Sequence, residues 1–177
     1  MTALIKKIEL FDILFVSFVA SQRRMSLTPL MKFLTRLGDG PLWIVLSLAL
    51  LVLHPHGTMI VIHLAIAYAM ELSIYKLSKS FLPRLRPCDF LPRVSRLVIS
   101  PDRYSFPSGH TAAAFVMVTV LAHSVPALVP ILLTVAVGIG FSRIYLGVHY
   151  PTDVFVGGLL GFLSGKVSIM LTKILIS

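Results

Sequence analysis

What most constrains this chain is the length of its apolar runs, each closed by a short polar turn. Five of them approach the length that crosses a bilayer: about Leu42 to Leu53, Thr58 to Lys76, Thr111 to His123, Pro126 to Ile144 and Thr152 to Leu171. The first and third are short for a crossing and are expected to extend through their flanks. Residues 3–20 make a further apolar segment, interrupted by Lys6, Lys7, Glu9 and Asp12. It reads either as an amphipathic helix lying in the interface or as a marginal first crossing.

The predicted fold is therefore all-α. One domain over residues 1–177 forms a polytopic bundle of five or six membrane helices, with one long active-site loop at residues 77–107. Composition agrees, since 56% hydrophobic and only 13% charged residues with a mean hydropathy of +0.91 exclude an ordinary soluble domain. The N-terminus lacks the small-residue cleavage pattern of a removable leader and is expected to stay in the mature fold. A net charge of +9 raises nucleic acid as a partner. However, the basic residues gather at segment ends and in the long loop, so anionic lipid head groups are expected instead. Cys88 is the single cysteine, which excludes an intrachain disulfide and a cysteine-built metal site.

Counting crossings places residues 21–40, the long loop and the 144–151 turn on one side of the membrane. The 54–57 and 123–126 turns fall on the other side and hold no Lys or Arg. Three clusters thereby share one face. Lys79 and Arg86-Pro87 belong to the long loop; Pro107-Ser108-Gly109-His110 opens an apolar helix; Arg143, His149 and Asp153 follow the next turn. Ser108 is placed as an N-cap, at a helix start whose free N–H groups suit phosphate. Lys79, Arg86 and Arg143 supply cations, and guanidinium groups bind phosphate oxygens bidentately. The other basic residues Arg23, Arg24, Arg93, Arg96 and Arg103 are assigned to head-group anchoring.

His149 and Asp153 lie four apart with Pro151 marking a helix start between them. The carboxylate can reach back to one ring nitrogen, fix the tautomer and leave the other nitrogen nucleophilic. An anion pocket holding a carboxylate-oriented histidine and a separate His110 is the constellation of a phosphoryl-transfer site. Glu71, inside the second run, is assigned a supporting role, and Asp39 is left between capping and shaping the entrance.

The pattern Lys79-x6-Arg86-Pro87, Pro107-Ser108-Gly109-His110 and Ser142-Arg143-x5-His149-x3-Asp153 resembles the type 2 phosphatidic acid phosphatase (PAP2) superfamily. The three motifs span residues 79–153, every motif position named is matched, and the apolar layout resembles the small bacterial membrane members. The resemblance implies His149 as the nucleophile that forms a phosphohistidine, oriented by Asp153. It implies His110 as the acid for the leaving oxygen and then the base for water. Lys79, Arg86, Arg143, Ser108 and the Gly109 backbone would hold the phosphate oxygens, with no metal and no cofactor. The expected substrate is a phosphorylated membrane lipid: undecaprenyl diphosphate, phosphatidylglycerophosphate, phosphatidate or a lipid A phosphate. The expected location is a bacterial inner membrane with the site on the outer face. A non-catalytic lipid binder would use the same cations without needing both histidines. The haloperoxidases that share the pocket are soluble, unlike this chain.

Overall fold

The computed structural model describes residues 3–100 and 102–176. Its elements in order are α1 (Ala3–Ser21), α2 (Thr28–Leu37), α3 (Pro41–Leu53), α4 (Gly57–Phe81), the short α5 (Pro87–Phe90), α6 (Gly109–Ser124), a 3-10 turn (Pro126–Leu128), α7 (Val129–Tyr145) and α8 (Pro151–Ile176). The all-α bundle is as predicted. By length and composition α4, α8 and α7 with its preceding 3-10 turn can each cross a membrane, and α2 with α3 forms a fourth candidate bent by 49°. The bend falls at Gly38-Asp39-Gly40, where Gly40 takes φ +98° ahead of Pro41. The first apolar run is thus lengthened by the amphipathic segment before it, across a kink. α1 carries too much charge to be such a candidate and packs against α7 and α8.

One difference from the sequence reading concerns an element end. The second run was expected to stop near Lys76, but α4 continues through Lys79 to Phe81. Nothing in Leu77-Ser78-Lys79-Ser80 breaks a helix, and the stop comes just before Pro83, which disfavours helical backbone at its neighbour. Lys79 therefore projects from a rigid last turn and not from the loop. The rest of the long loop is pinned rather than loose. It contains α5, an antiparallel bridge between Leu85 and Tyr104, and backbone bonds from Cys88 to Gly147 and from Leu97 to Leu146.

α6 is the central strut, packed against α4, α7 and α8 and buried along most of its length. Its contact with α8 is a close one between backbones. A Cβ at Gly161 would lie 2.1 Å from the Ala112 carbonyl oxygen, so only glycine lets the two helices approach this far. The same contact brings the start of α8, with Asp153, against the start of α6: the Ser108 N–H donates to the Asp153 carbonyl at 3.0 Å. A second cluster of Val16, Val19, Met31, Val94, Ile144 and Leu146 seats α1, α2 and the loop on the α7–α8 turn. Large apolar side chains such as Val52 and Phe155 point outward, as bilayer-facing residues do.

Candidate active site

His149 sits in the turn between α7 and α8. That turn is shaped by Gly147 at φ +80°, and the Val148 and His149 N–H groups fold back onto the Arg143 carbonyl. The imidazole is 2% exposed. Its Nε2 lies 3.3 Å from Arg86 Nη1. Guanidinium can only donate, so Nε2 carries the lone pair and Nδ1 the proton. Nδ1 faces Asp153 Oδ2 at 3.6 Å, within ion-pair reach but longer than a hydrogen bond. Such contacts commonly tighten only when substrate is bound. Burial pushes the His149 pKa down to about 3; Arg143 and Arg86 act in the same direction, and Asp153 opposes them. The ring is neutral at physiological pH, the form able to attack phosphorus.

Three cations converge beside it. Arg86, 1% exposed, is held by the Val148 carbonyl at 2.7 Å. Lys79 donates to the Tyr104 carbonyl at 2.5 Å. Arg143 donates to Thr35 Oγ1 at 2.6 Å, while its Nε is buried without a partner and so remains a donor for an incoming oxygen. The space between Lys79 and Arg86 is filled by the chain itself. Asp102 Oδ1 accepts from Arg86 Nη2 at 2.6 Å and Lys79 Nζ at 3.0 Å, and Oδ2 accepts from Tyr75 at 2.7 Å. Burial opposes ionisation of Asp102, but the bonds from Tyr75 and Lys79 and the charges of Lys79 and Arg86 hold its carboxyl below the usual carboxylate range. It is therefore an anion, seated where the sequence placed phosphate.

A cavity of about 820 Å³ opens beside this seat. Tyr75, Gly109, His110, Arg143 and the basic Lys32 and Arg36 are among its lining residues. His110 is fixed there by Asp39, whose Oδ1 lies 2.7 Å from Nε2. Asp39, left between capping and shaping the entrance, lines the cavity and holds His110, and α3 has no side-chain cap bond. Ser108 occupies the N-cap position of α6 as expected, but its hydroxyl makes no cap bond and pairs with Thr111 Oγ1 at 2.9 Å. The helix start is instead tied through the Ser108 backbone. Gly109 allows the Tyr75 ring to pass close, since a Cβ there would meet it at 2.8 Å.

The structure thus gathers Lys79, Arg86, His110, Arg143, His149 and Asp153 at one end of the bundle. It adds Tyr75, Asp102, Thr35 and Arg84, which the sequence reading passed over. Arg84 lay inside the quoted Lys79–Arg86 spacing, and only its partners reveal its place. Arg23 is corrected: it is no head-group anchor, because it donates to the Tyr145 carbonyl at 2.8 Å and to Ser95. Glu71 is buried at the cavity wall and forms no ion pair among the described residues.

An all-helical membrane bundle with a buried neutral histidine beside an anion seat is the framework of a membrane phosphatase. The chain belongs to the PAP2 superfamily, whose sequence profile matches residues 60–175. It is 34% identical over 155 residues to an undecaprenyl-diphosphatase of Sulfolobus acidocaldarius, covering 87% of this chain and 72% of that protein. Aquifex aeolicus LpxE superposes with a TM-score of 0.81 at 33% identity, covering 90% of this chain and 94% of that one. A transmembrane PAP2 type phosphatidylglycerolphosphate phosphatase of Bacillus subtilis gives 0.76 at 25% identity, covering 97% and 88%.

Asp102 occupies the seat between Lys79 and Arg86 that the sequence assigns to phosphate. Asp102→Asn keeps the shape and removes the charge, so inhibition by vanadate should tighten by about 10-fold, the order of one charged hydrogen bond. Inhibition titrations of the two forms measure this, and unchanged or weaker vanadate binding contradicts the assignment of the seat.

Proposed function

We propose that the protein hydrolyses a phosphate or diphosphate group from a membrane lipid through a phosphohistidine on His149. The observation that carries this reading is the Asp102 carboxylate on Lys79 and Arg86, with the lone-pair nitrogen of His149 3.3 Å from the same Arg86. An anion and a nucleophile share one cation. With phosphate in that seat, Nε2 attacks phosphorus and the bond to the leaving oxygen breaks. The entering phosphate anion favours the protonated form of His110, which then gives that oxygen its proton. Water then attacks the phosphohistidine as His110 takes a proton back, releasing inorganic phosphate and restoring neutral His149. Asp153 steadies the imidazolium character that develops in the first step. Arg86, Lys79, Arg143 and the Gly109 N–H hold the phosphoryl oxygens, where preorganised donors act in a water-poor site.

A lipid is favoured over a soluble ester by what adjoins the cavity. Gly40, Glu71, Leu72 and Ala113 line it and also line an apolar groove of about 460 Å³ along α3 and α4, with Trp43, Ile44 and Leu48. A head group at Arg143 can leave its tail in that groove. The Sulfolobus relative is named for undecaprenyl diphosphate and the Bacillus structure for phosphatidylglycerolphosphate, and both remain candidates with phosphatidate and a lipid A phosphate. Phosphate release from these four lipids in detergent, with EDTA present, tests the reading. Release from at least one, lost by more than about 1,000-fold in His149→Ala, is the expected result. Release that His149→Ala retains contradicts the mechanism, and binding without release points to a lipid carrier.

In this reading the site faces away from the cytoplasm, in the inner membrane of a bacterium. The basic surplus on the site side argues less for a cytoplasmic placement than its count suggests. Arg23, Lys79, Arg84, Arg86 and Arg143 are all bonded within the protein. Cys88, half-buried in the site-side loop with its thiol pKa raised by burial, reports the orientation. A membrane-impermeant thiol reagent at alkaline pH should label it in intact cells; labelling only after lysis places the site inside.

A further inference from the structure

Asp12 was read from the sequence as a break in an apolar helix, yet it is fully buried. A carboxylate inside a membrane bundle is costly and needs a partner. Its partner is Arg84, whose Nη2 donates to Asp12 Oδ2 at 2.6 Å. The other arm of the same guanidinium, Nη1, donates to Asp153 Oδ1 at 2.9 Å and to Thr152 Oγ1 at 2.8 Å. Asp12 Oδ1 in turn accepts the Thr152 N–H at 3.1 Å, and its Oδ2 accepts the Thr152 hydroxyl. Tyr150 closes the assembly, with its ring under the guanidinium at 3.9 Å and its N–H on Asp153 Oδ2 at 2.8 Å. Neither Asp12 nor Arg84 touches the anion seat or lines the cavity.

We infer that Asp12 and Arg84 are positioning residues for the nucleophile, acting on His149 through Asp153. This rests on the phosphohistidine reading above and extends it to α1. Asp153 is 0% exposed and its Oδ2 faces the His149 ring at 3.6 Å. The guanidinium touching that carboxylate is Arg84, which together with the Tyr150 N–H compensates its burial. Asp12 plays two parts. It fixes Arg84 in one rotamer, and it shares the guanidinium charge, so that Asp153 is not fully neutralised. Two carboxylates against one guanidinium leave the cluster with net negative character facing Nδ1 of His149. That is the charge needed as the imidazole becomes a phosphorylated imidazolium. The first turn of α8 is locked at the same time, because Asp12 binds both the backbone and the side chain of Thr152. The amino-terminal helix is in this view part of the catalytic unit, joined to it across 140 residues of sequence.

The test compares Arg84→Gln, Arg84→Lys and the near-isosteric Asp12→Asn with the native protein and with His149→Ala. Measured quantities are kcat, KM, vanadate inhibition and the rate of phosphoenzyme formation, each per folded molecule as counted by thermal melting in detergent. Arg84→Gln should lower kcat and phosphoenzyme formation by about 10- to 100-fold, the range for groups that orient a reacting ligand from behind. KM and vanadate inhibition should stay within about 3-fold, because the anion seat is untouched. Asp12→Asn should move the same quantities in the same direction by less. Arg84→Lys, which keeps the charge but cannot bridge two carboxylates, should recover only part of the loss. Native kcat per folded molecule in Arg84→Gln and Asp12→Asn overturns the inference, even if both variants melt earlier. So does a loss shared equally by KM and vanadate binding. If Arg84→Gln does not fold, Asp12→Asn decides alone by the same criteria. His149→Ala keeps the two readings apart: its full activity removes the phosphohistidine mechanism itself, whereas an inactive His149→Ala beside a fully active Arg84→Gln removes only the role of Arg84 and Asp12.

Discussion

Charge buried at one end of an apolar bundle must find a partner, and most of the local architecture follows from that need. Lys79, Arg86 and Arg143 lie together where helices meet the interface, at 11% side-chain exposure or less. Three cations so placed repel one another and lose most of their hydration. They are tolerated because each is held by fixed acceptors: the Val148 and Tyr104 carbonyls, the Thr35 hydroxyl and the Asp102 carboxylate. Asp102 is the telling member, since it places an anion between Lys79 and Arg86 in the resting protein. In the proposed function, that carboxylate is what a phosphate group displaces. Binding energy from the remainder of a lipid, including its tail, is available for that exchange.

The bundle sets the distances among these groups. The glycine contact between α6 and α8 brings the first turn of α8 against the start of α6, so Asp153, Ser108 and His110 are placed by one backbone approach. The Gly147 turn returns the chain from α7 to α8 and folds His149 back over Arg143. α2, bent against α3, contributes Thr35 to Arg143, and the bend itself delivers Asp39 to His110. Residues whose chemistry is cooperative therefore come from six different stretches of chain, and rigid packing compensates for their separation.

Much of this could be read from the sequence, for a definite reason. Apolar runs of bilayer length fix which segments are helices, and counting crossings then fixes which polar residues share a side. That is how Lys79, Arg86, His110, Arg143, His149 and Asp153 fell together before any geometry was known. Sidedness could not reveal pairing. Asp102 looked like an ordinary loop residue, Arg84 like a spacer between two motif cations, and Asp12 like polarity in an amphipathic helix. Their meaning lies in contacts across 16, 69 and 72 residues. Local pattern also misjudged Ser108, whose position suits a cap but whose hydroxyl prefers Thr111. A buried acid in an apolar helix was the one signal that could have exposed Asp12, since such a group needs a partner elsewhere.

The proposed chemistry stands on a neutral, buried His149 taking the phosphoryl group. The most direct measurement is to quench the native protein rapidly into alkali while it turns over a labelled lipid, and to map the peptide that carries phosphate. Phosphohistidine survives base and is lost in acid, so its identity can be read from its lability. The account predicts acid-labile phosphate on the peptide containing His149, formed and lost at rates consistent with turnover. Phosphate on any other residue, or steady phosphate release with His149 never modified, contradicts it.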